Sequence, residues 1–168
     1  MTHTLKLSVV VALALSALSA QALTGIIFKV DIHKGKETGG VRELRGNDSR
    51  FFRITNQIAS PYHFDWSCSF YGLQNPTNVS HLEISVIGSR LKSSPIKMYL
   101  FDYIAERWTD VASVELPTLG SDEYVLRTRK APERFVSSNG RATMRFTSTL
   151  QTMIVDQITF RAVSERRR

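Results

Sequence analysis

Short runs of alternating apolar and polar residues, separated by turn-forming clusters, occupy the chain from residue 24 to residue 163. Alternation places successive side chains on opposite faces of an extended backbone, so each run predicts a half-buried strand. Residues 24–33 put Ile26, Phe28, Val30 and Ile32 on one face and Lys29, Asp31 and His33 on the other. Residues 62–70 alternate most cleanly, with Tyr62, Phe64, Trp66, Cys68 and Phe70 set against His63, Asp65, Ser67 and Ser69. Further strands are predicted over residues 51–55, 81–87, 96–101, 123–128, 141–147 and 152–163, and one opens at Trp108. Gly39-Gly40, Asn75-Pro76, residues 117–120 and Asn139-Gly140 punctuate them as turns. No segment repeats its apolar positions with a helical period. The pattern predicts an all-β fold, an antiparallel β-sandwich or barrel, centred on the hairpin over residues 96–108.

The first 22 residues read differently. Lys6 precedes an apolar run over residues 7–18, and Ala20-Gln21-Ala22 offers a small-x-small cleavage pattern. The run is shorter than the roughly 20 residues that span a bilayer. It therefore predicts a signal peptide over residues 1–22 and a secreted product with no membrane span. A single domain over residues 23–163 and a basic tail over 164–168 complete the 168-residue chain. Cys68 is the only cysteine, which excludes an internal disulfide and suits a small buried hydrophobe better than a reactive thiol. The formal net charge of +7 is scattered along the chain, so it reads as solubilising charge, and no nucleic-acid partner is expected.

Several segments in the second half carry a resemblance. Tyr99-Leu100-Phe101-Asp102-Tyr103 is followed by Arg107-Trp108, then by Pro132-x-Arg134-Phe135-Val136-Ser137-Ser138-x-Gly140. An alternating Arg141 to Phe146 segment comes next, and Ile154-Val155-Asp156-Gln157-Ile158-Thr159-Phe160 closes the set. Over residues 51–160 the chain resembles the galactose-binding-domain-like jelly rolls of secreted bacterial proteins and carbohydrate-binding modules. The resemblance implies a non-catalytic domain that recognises carbohydrate or another extracellular surface through its loops. The alternative is a structural or interaction subunit of an extracellular or periplasmic assembly.

Sugar-binding sandwiches stack the apolar face of a pyranose on exposed rings. Tyr71 and Tyr103 lie beside turns and are the leading ring candidates, with Trp108 and Tyr62 behind them. Asp102, Glu106, Arg107, Asn75 and Asn78 are their polar neighbours. Trp66 shares its face with Phe64 and Phe70 and belongs to the core, and Trp108 also has a core reading. Asp156 shares its parity with Ile154, Ile158 and Phe160, which aims a carboxylate at the apolar face. The resemblance implies a structural calcium there, to which Asp31 or Glu37 would add oxygens; pairing with an arginine or a bulge is the alternative. For catalysis the residues offer little. His33, His63 and His81 lack metal-ligand spacing, and Asp65, Asp102, Glu106 and Asp110 are the only carboxylates with a case for converging. Asn47-Asp48-Ser49 and Asn78-Val79-Ser80 match the N-glycosylation pattern.

Overall fold

A computed structural model of the chain describes residues 21–46, 48, 50–56, 63–73, 79–149 and 151–164. Residues 1–20 of the expected 1–22 leader, residues 165–168 of the basic tail, Tyr62, Asn75 and the asparagines of both glycosylation patterns, Asn47 and Asn78, lie outside the described residues. Among the described residues, eleven strands form two antiparallel sheets, which is the predicted sandwich.

The five-stranded sheet runs β2 (Ile26–Lys34), β5 (His63–Tyr71), β10 (Ala142–Thr149), β7 (Ile96–Asp102), β8 (Arg107–Val114). The six-stranded sheet runs β3 (Lys36–Thr38), β4 (Phe52–Thr55), β11 (Thr152–Ser164), β6 (His81–Arg90), β9 (Asp122–Thr128), and β1 (Gln21–Thr24) also pairs with β11. Between the sheets lie Phe64, Trp66, Phe70, Met144 and Phe146 from one layer and Phe52, Ile54, Leu82, Ile84 and Phe160 from the other, all fully buried. Trp66 bridges the layers, with its ring centroid 4.9 Å from that of Phe146 and 4.6 Å from that of Phe52. Cys68 packs in this core as a free thiol, and burial pushes its pKa up, so it behaves as the small hydrophobe expected.

Two bulges correct the simple alternation. In β2 the register against β5 shifts between Ile27 and Lys29. Ile27 is thereby buried, while Ile26 and Phe28 are exposed; only Val30 and Ile32 keep the expected inward face. The extra residue turns Phe28 to the outer side of the five-stranded sheet. In β11 the register against β6 shifts between Val155 and Gln157, so Met153 and Val155, not Ile154, enter the core before the bulge. Asp156, the unpaired residue, does turn inward and is 4% exposed. Gly88 sits opposite Val155, where a Cβ would run into the Ile154 carbonyl. That close approach explains a glycine inside a strand.

Candidate functional site

The outer face of the five-stranded sheet collects the side chains that alternation leaves over once the core is filled. From β10 come Thr143, Arg145 and Thr147; from β5, His63, Asp65, Ser67, Ser69 and Tyr71; from β7, Lys97, Tyr99 and Phe101. β8 adds Trp108 opposite Phe101, and Asp110 opposite Tyr99.

Rings gather at two places on this face. Phe101 makes edge-to-face contacts with Trp108 and Tyr103, at centroid separations of 5.4 and 5.1 Å. Across the sheet, Phe28 meets Tyr71 edge to face at 5.7 Å, and both are open to solvent, at 38% and 44%. Between the two groups lies a polar strip. The Arg145 guanidinium donates through Nε and Nη2 to both oxygens of Asp65, the Nε bond being 2.7 Å. Its far side stands 5.5 Å from the Trp108 ring centroid, a cation–π contact. The bidentate pair holds the Arg145 pKa above its ordinary value, first through the Asp65 hydrogen bond. A row of hydroxyls runs from the β7–β8 turn across β10 to β5: Tyr103 Oη lies 3.1 Å from Thr143 Oγ1, which lies 3.2 Å from Ser69 Oγ. His33 Nε2 and Ser67 Oγ, 3.1 Å apart, extend the polar strip on to β2. Asp65 and Ser67 are buried even though they face outward, because these neighbours cover them.

Of the residues singled out from the sequence, the structure brings Tyr103 and Trp108 together in one ring group and places Tyr71 in the other. Trp108 is half-buried on the outer face, not part of the core. Arg107 is exposed at the start of β8, and Glu106 is exposed in the preceding turn with φ 51°. Asp102 is a correction. Its parity follows Met98 and Leu100 inward, so it is buried beneath the β7–β8 turn rather than offered to a ligand. There Oδ1 accepts from the N–H groups of Ile104 (3.0 Å) and Ala105 (2.9 Å), and Oδ2 pairs with Arg134 Nη2 at 2.8 Å. The turn that presents Tyr103 is built on this carboxylate, and Tyr103 N also donates to the Arg134 carbonyl.

Burial alone would raise the Asp102 pKa. The Ala105 N–H, the Arg134 guanidinium and the Ile104 N–H together outweigh it and hold the carboxyl below its ordinary 3.8. A depressed carboxylate stabilises the fold at pH above the unfolded-state value, and the contribution is lost as pH falls through the folded value. Asp102→Asn should cost about 1–2 kcal/mol at pH 7, by stripping Arg134 of its charged partner. Urea denaturation at pH 7 and pH 3 checks it: the gap between variant and parent closes on acidification. A gap of the same size at both pH values would contradict the assignment.

The carboxylates with a case for converging do not form an acid–base pair. Asp65 is bound to Arg145, Asp110 to Lys97 Nζ at 3.1 Å, and Asp102 to the turn. Nor do Asp31 and Asp156 share an oxygen cage. Asp31 faces outward from the five-stranded sheet and pairs with Lys29 Nζ at 2.8 Å, whereas Asp156 lies in the other sheet. Glu37 is exposed on β3. Asp156 Oδ1 is buried without a hydrogen-bond partner, but the described residues gather no group of three or more His, Cys, Asp or Glu that would hold a metal ion. Arg45 forms a backbone bridge with Gln157, the residue after Asp156, but its guanidinium donates to the Ile27 carbonyl through Nε and Nη2 at 3.0 and 2.6 Å. The residues present therefore do not fit the expected calcium.

From the sequence, neither Arg145 nor Phe28 nor Phe101 is singled out for the site, and Asp65 is named only as a carboxylate with a case for converging. For Arg145 the signal was in the sequence: once Ala142, Met144 and Phe146 are inward, Arg145 must be outward. For Phe28 there was none, because the bulge that turns it out depends on pairing with β5.

No protein-family model matches the chain, and no curated protein does. Solved structures do match. Two mutant forms of family 29 carbohydrate-binding modules, one of them complexed with mannohexaose, align with TM-scores of 0.50. Each alignment covers 86% of this chain and 94% of the other, at 10% identity. A Clostridium thermocellum endo-1,4-β-D-xylanase complexed with xylohexaose aligns with a TM-score of 0.48 at 14% identity, over 84% of this chain and 26% of that one. At such identities the likeness is one of architecture: the chain has a β-sandwich fold like that of carbohydrate-binding modules.

Proposed function

We propose that the protein is a secreted, non-catalytic domain that binds a glycan chain laid across the outer face of its five-stranded sheet. The observation that carries this reading is the pair of ring groups, Phe101–Tyr103–Trp108 and Phe28–Tyr71, separated by a strip of hydroxyls and the Arg145–Asp65 pair. A solvent-facing sheet surface with no ligand has little reason to gather rings on both sides of such a strip. Rings stack on pyranose faces, and fixed hydroxyls and carboxylates take up sugar hydroxyls at little ordering cost. The match to carbohydrate-binding modules, one of them holding mannohexaose, supports the same class of ligand. Non-catalysis is supported by the commitment of each platform carboxylate to a cation: Asp31 to Lys29, Asp65 to Arg145 and Asp110 to Lys97. The ligand surface is mainly a strand face, to which the described loops add Tyr103, Gly72, Asn139 and Arg141.

Titration calorimetry with mannohexaose, cellohexaose and xylohexaose, followed by a glycan array, tests the reading. Trp108→Ala should weaken whatever binding is found by about tenfold or more, as removal of a central ring does. Absence of binding across the array, or equal affinity in the variant, would overturn it. Export is tested by sequencing the N-terminus of the extracellular protein; a chain kept inside the cell with Met1 intact would overturn that part.

A further inference from the structure

The cations on the platform are not equivalent. Lys29, Lys97 and Arg145 each have a carboxylate partner on the same face, so the centre of the platform is close to neutral. Arg141 has no carboxylate partner among the described residues. Its guanidinium carbon stands 5.5 Å from the Phe28 ring centroid, in an open pocket lined by Phe28, Tyr71, Gly72, Asn139 and Arg141.

The backbone that delivers Arg141 is fixed from both sides. Arg141 N donates to Ser137 Oγ at 3.0 Å, and the Arg141 carbonyl accepts from Ser137 N at 2.8 Å. Leu73 N donates to the Gly140 carbonyl at 3.1 Å, tying this turn to the chain leaving β5. Gly140 has φ 66°, and a Cβ there would strike the Leu73 carbonyl, so the two segments meet only because the residue is glycine. The pocket thus combines two exposed rings, a side-chain amide and one unneutralised guanidinium on an anchored turn. Arginine's planar fork matches a carboxylate in bidentate fashion, while the rings supply a stacking wall.

We infer that the Phe28–Tyr71–Arg141 pocket is a subsite for an acidic sugar, taking the carboxylate of a uronate unit at one end of a chain bound along the platform. The assignment rests on the glycan reading above and adds to it a charge preference located at one residue. The neutral centre accepts uncharged units; Arg141 discriminates at the end.

The test uses oligosaccharides that differ only at C6: mannohexaose against β-1,4-linked hexamannuronate, and cellohexaose against β-1,4-linked hexaglucuronate. In at least one pair the acidic member should bind the parent protein roughly tenfold tighter, the scale of one charge-assisted contact, and the advantage should shrink as salt rises. Arg141→Gln should erase that advantage, bringing the ratio of acidic to neutral affinity to about one. Trp108→Ala should weaken both members alike. Equal affinity within both pairs, or a preference for the acid that survives Arg141→Gln, overturns the subsite and leaves the platform standing. Failure of every oligosaccharide to bind overturns both.

Discussion

Trp66→Ala should destabilise the protein by about 3–5 kcal/mol, the range for removing a large buried ring from a core. The indole is wholly inaccessible and is one of the side chains through which the layers touch, stacked on Phe146 of its own sheet and tilted against Phe52 of the other. Removing it separates those two rings and leaves a void in a region where every neighbour is held by a strand. The indole N–H is itself buried without a hydrogen-bond partner. Trp66→Phe therefore keeps the ring contacts and removes an unsatisfied donor, and should cost only about 1–2 kcal/mol. Urea denaturation of both variants separates the outcomes. If alanine were tolerated as well as phenylalanine, the ring would not join the sheets as described.

Arg145→Ala should cost about 2–3 kcal/mol, more than an exposed ion pair is worth, because it strands the Asp65 carboxylate. Asp65 is 7% exposed, and Arg145 covers it from the outside while presenting its other face to Trp108. The figure falls short of a fully buried pair because the Arg145 side chain keeps 29% of its exposure. Asp65→Ala combined with Arg145→Ala should recover part of the loss, since neither charge is then left alone. The same substitution frees the Trp108 ring, so glycan affinity should fall even where the fold survives. A double variant no more stable than Arg145→Ala alone would show that the carboxylate is not the source of the cost.

Most strands were legible because a sheet with one dry face writes its own parity into the chain. Phe64, Trp66, Cys68 and Phe70 alternate with His63, Asp65, Ser67 and Ser69, and the structure places the first set in the core. What escaped were features fixed by pairing rather than by local pattern. β3, only Lys36–Thr38, has no apolar residue and exists because β4 accepts it. β1 overlaps the predicted leader at Gln21 and Ala22, and its pairing with β11 leaves no mark in the local pattern. The two bulges shift Phe28 outward and turn Asp156 into its own position on the inner side; neither bulged strand carries a glycine or proline at its shift, and only Gly88 on the partner strand marks the second.

The site was legible in part for the same reason. Tyr71, Tyr103 and Trp108 were accessible to reasoning from turn positions, and all three reach the platform. Asp102 was misjudged because a carboxylate beside a turn looks the same in sequence whether it faces a ligand or caps the turn's own N–H groups. Arg145 and Asp65 lie 80 residues apart and meet only through the β5–β10 register.

The pairing of Gln21 with Ser164 brings the two ends of the folded unit to one corner, on the layer away from the rings. Any polypeptide joined at either end would leave from that corner, with the ring-bearing face on the far side. The domain is thus suited to display: it can be spliced into a surface loop of another protein, or opened elsewhere and rejoined across this corner, without covering the ring-bearing face.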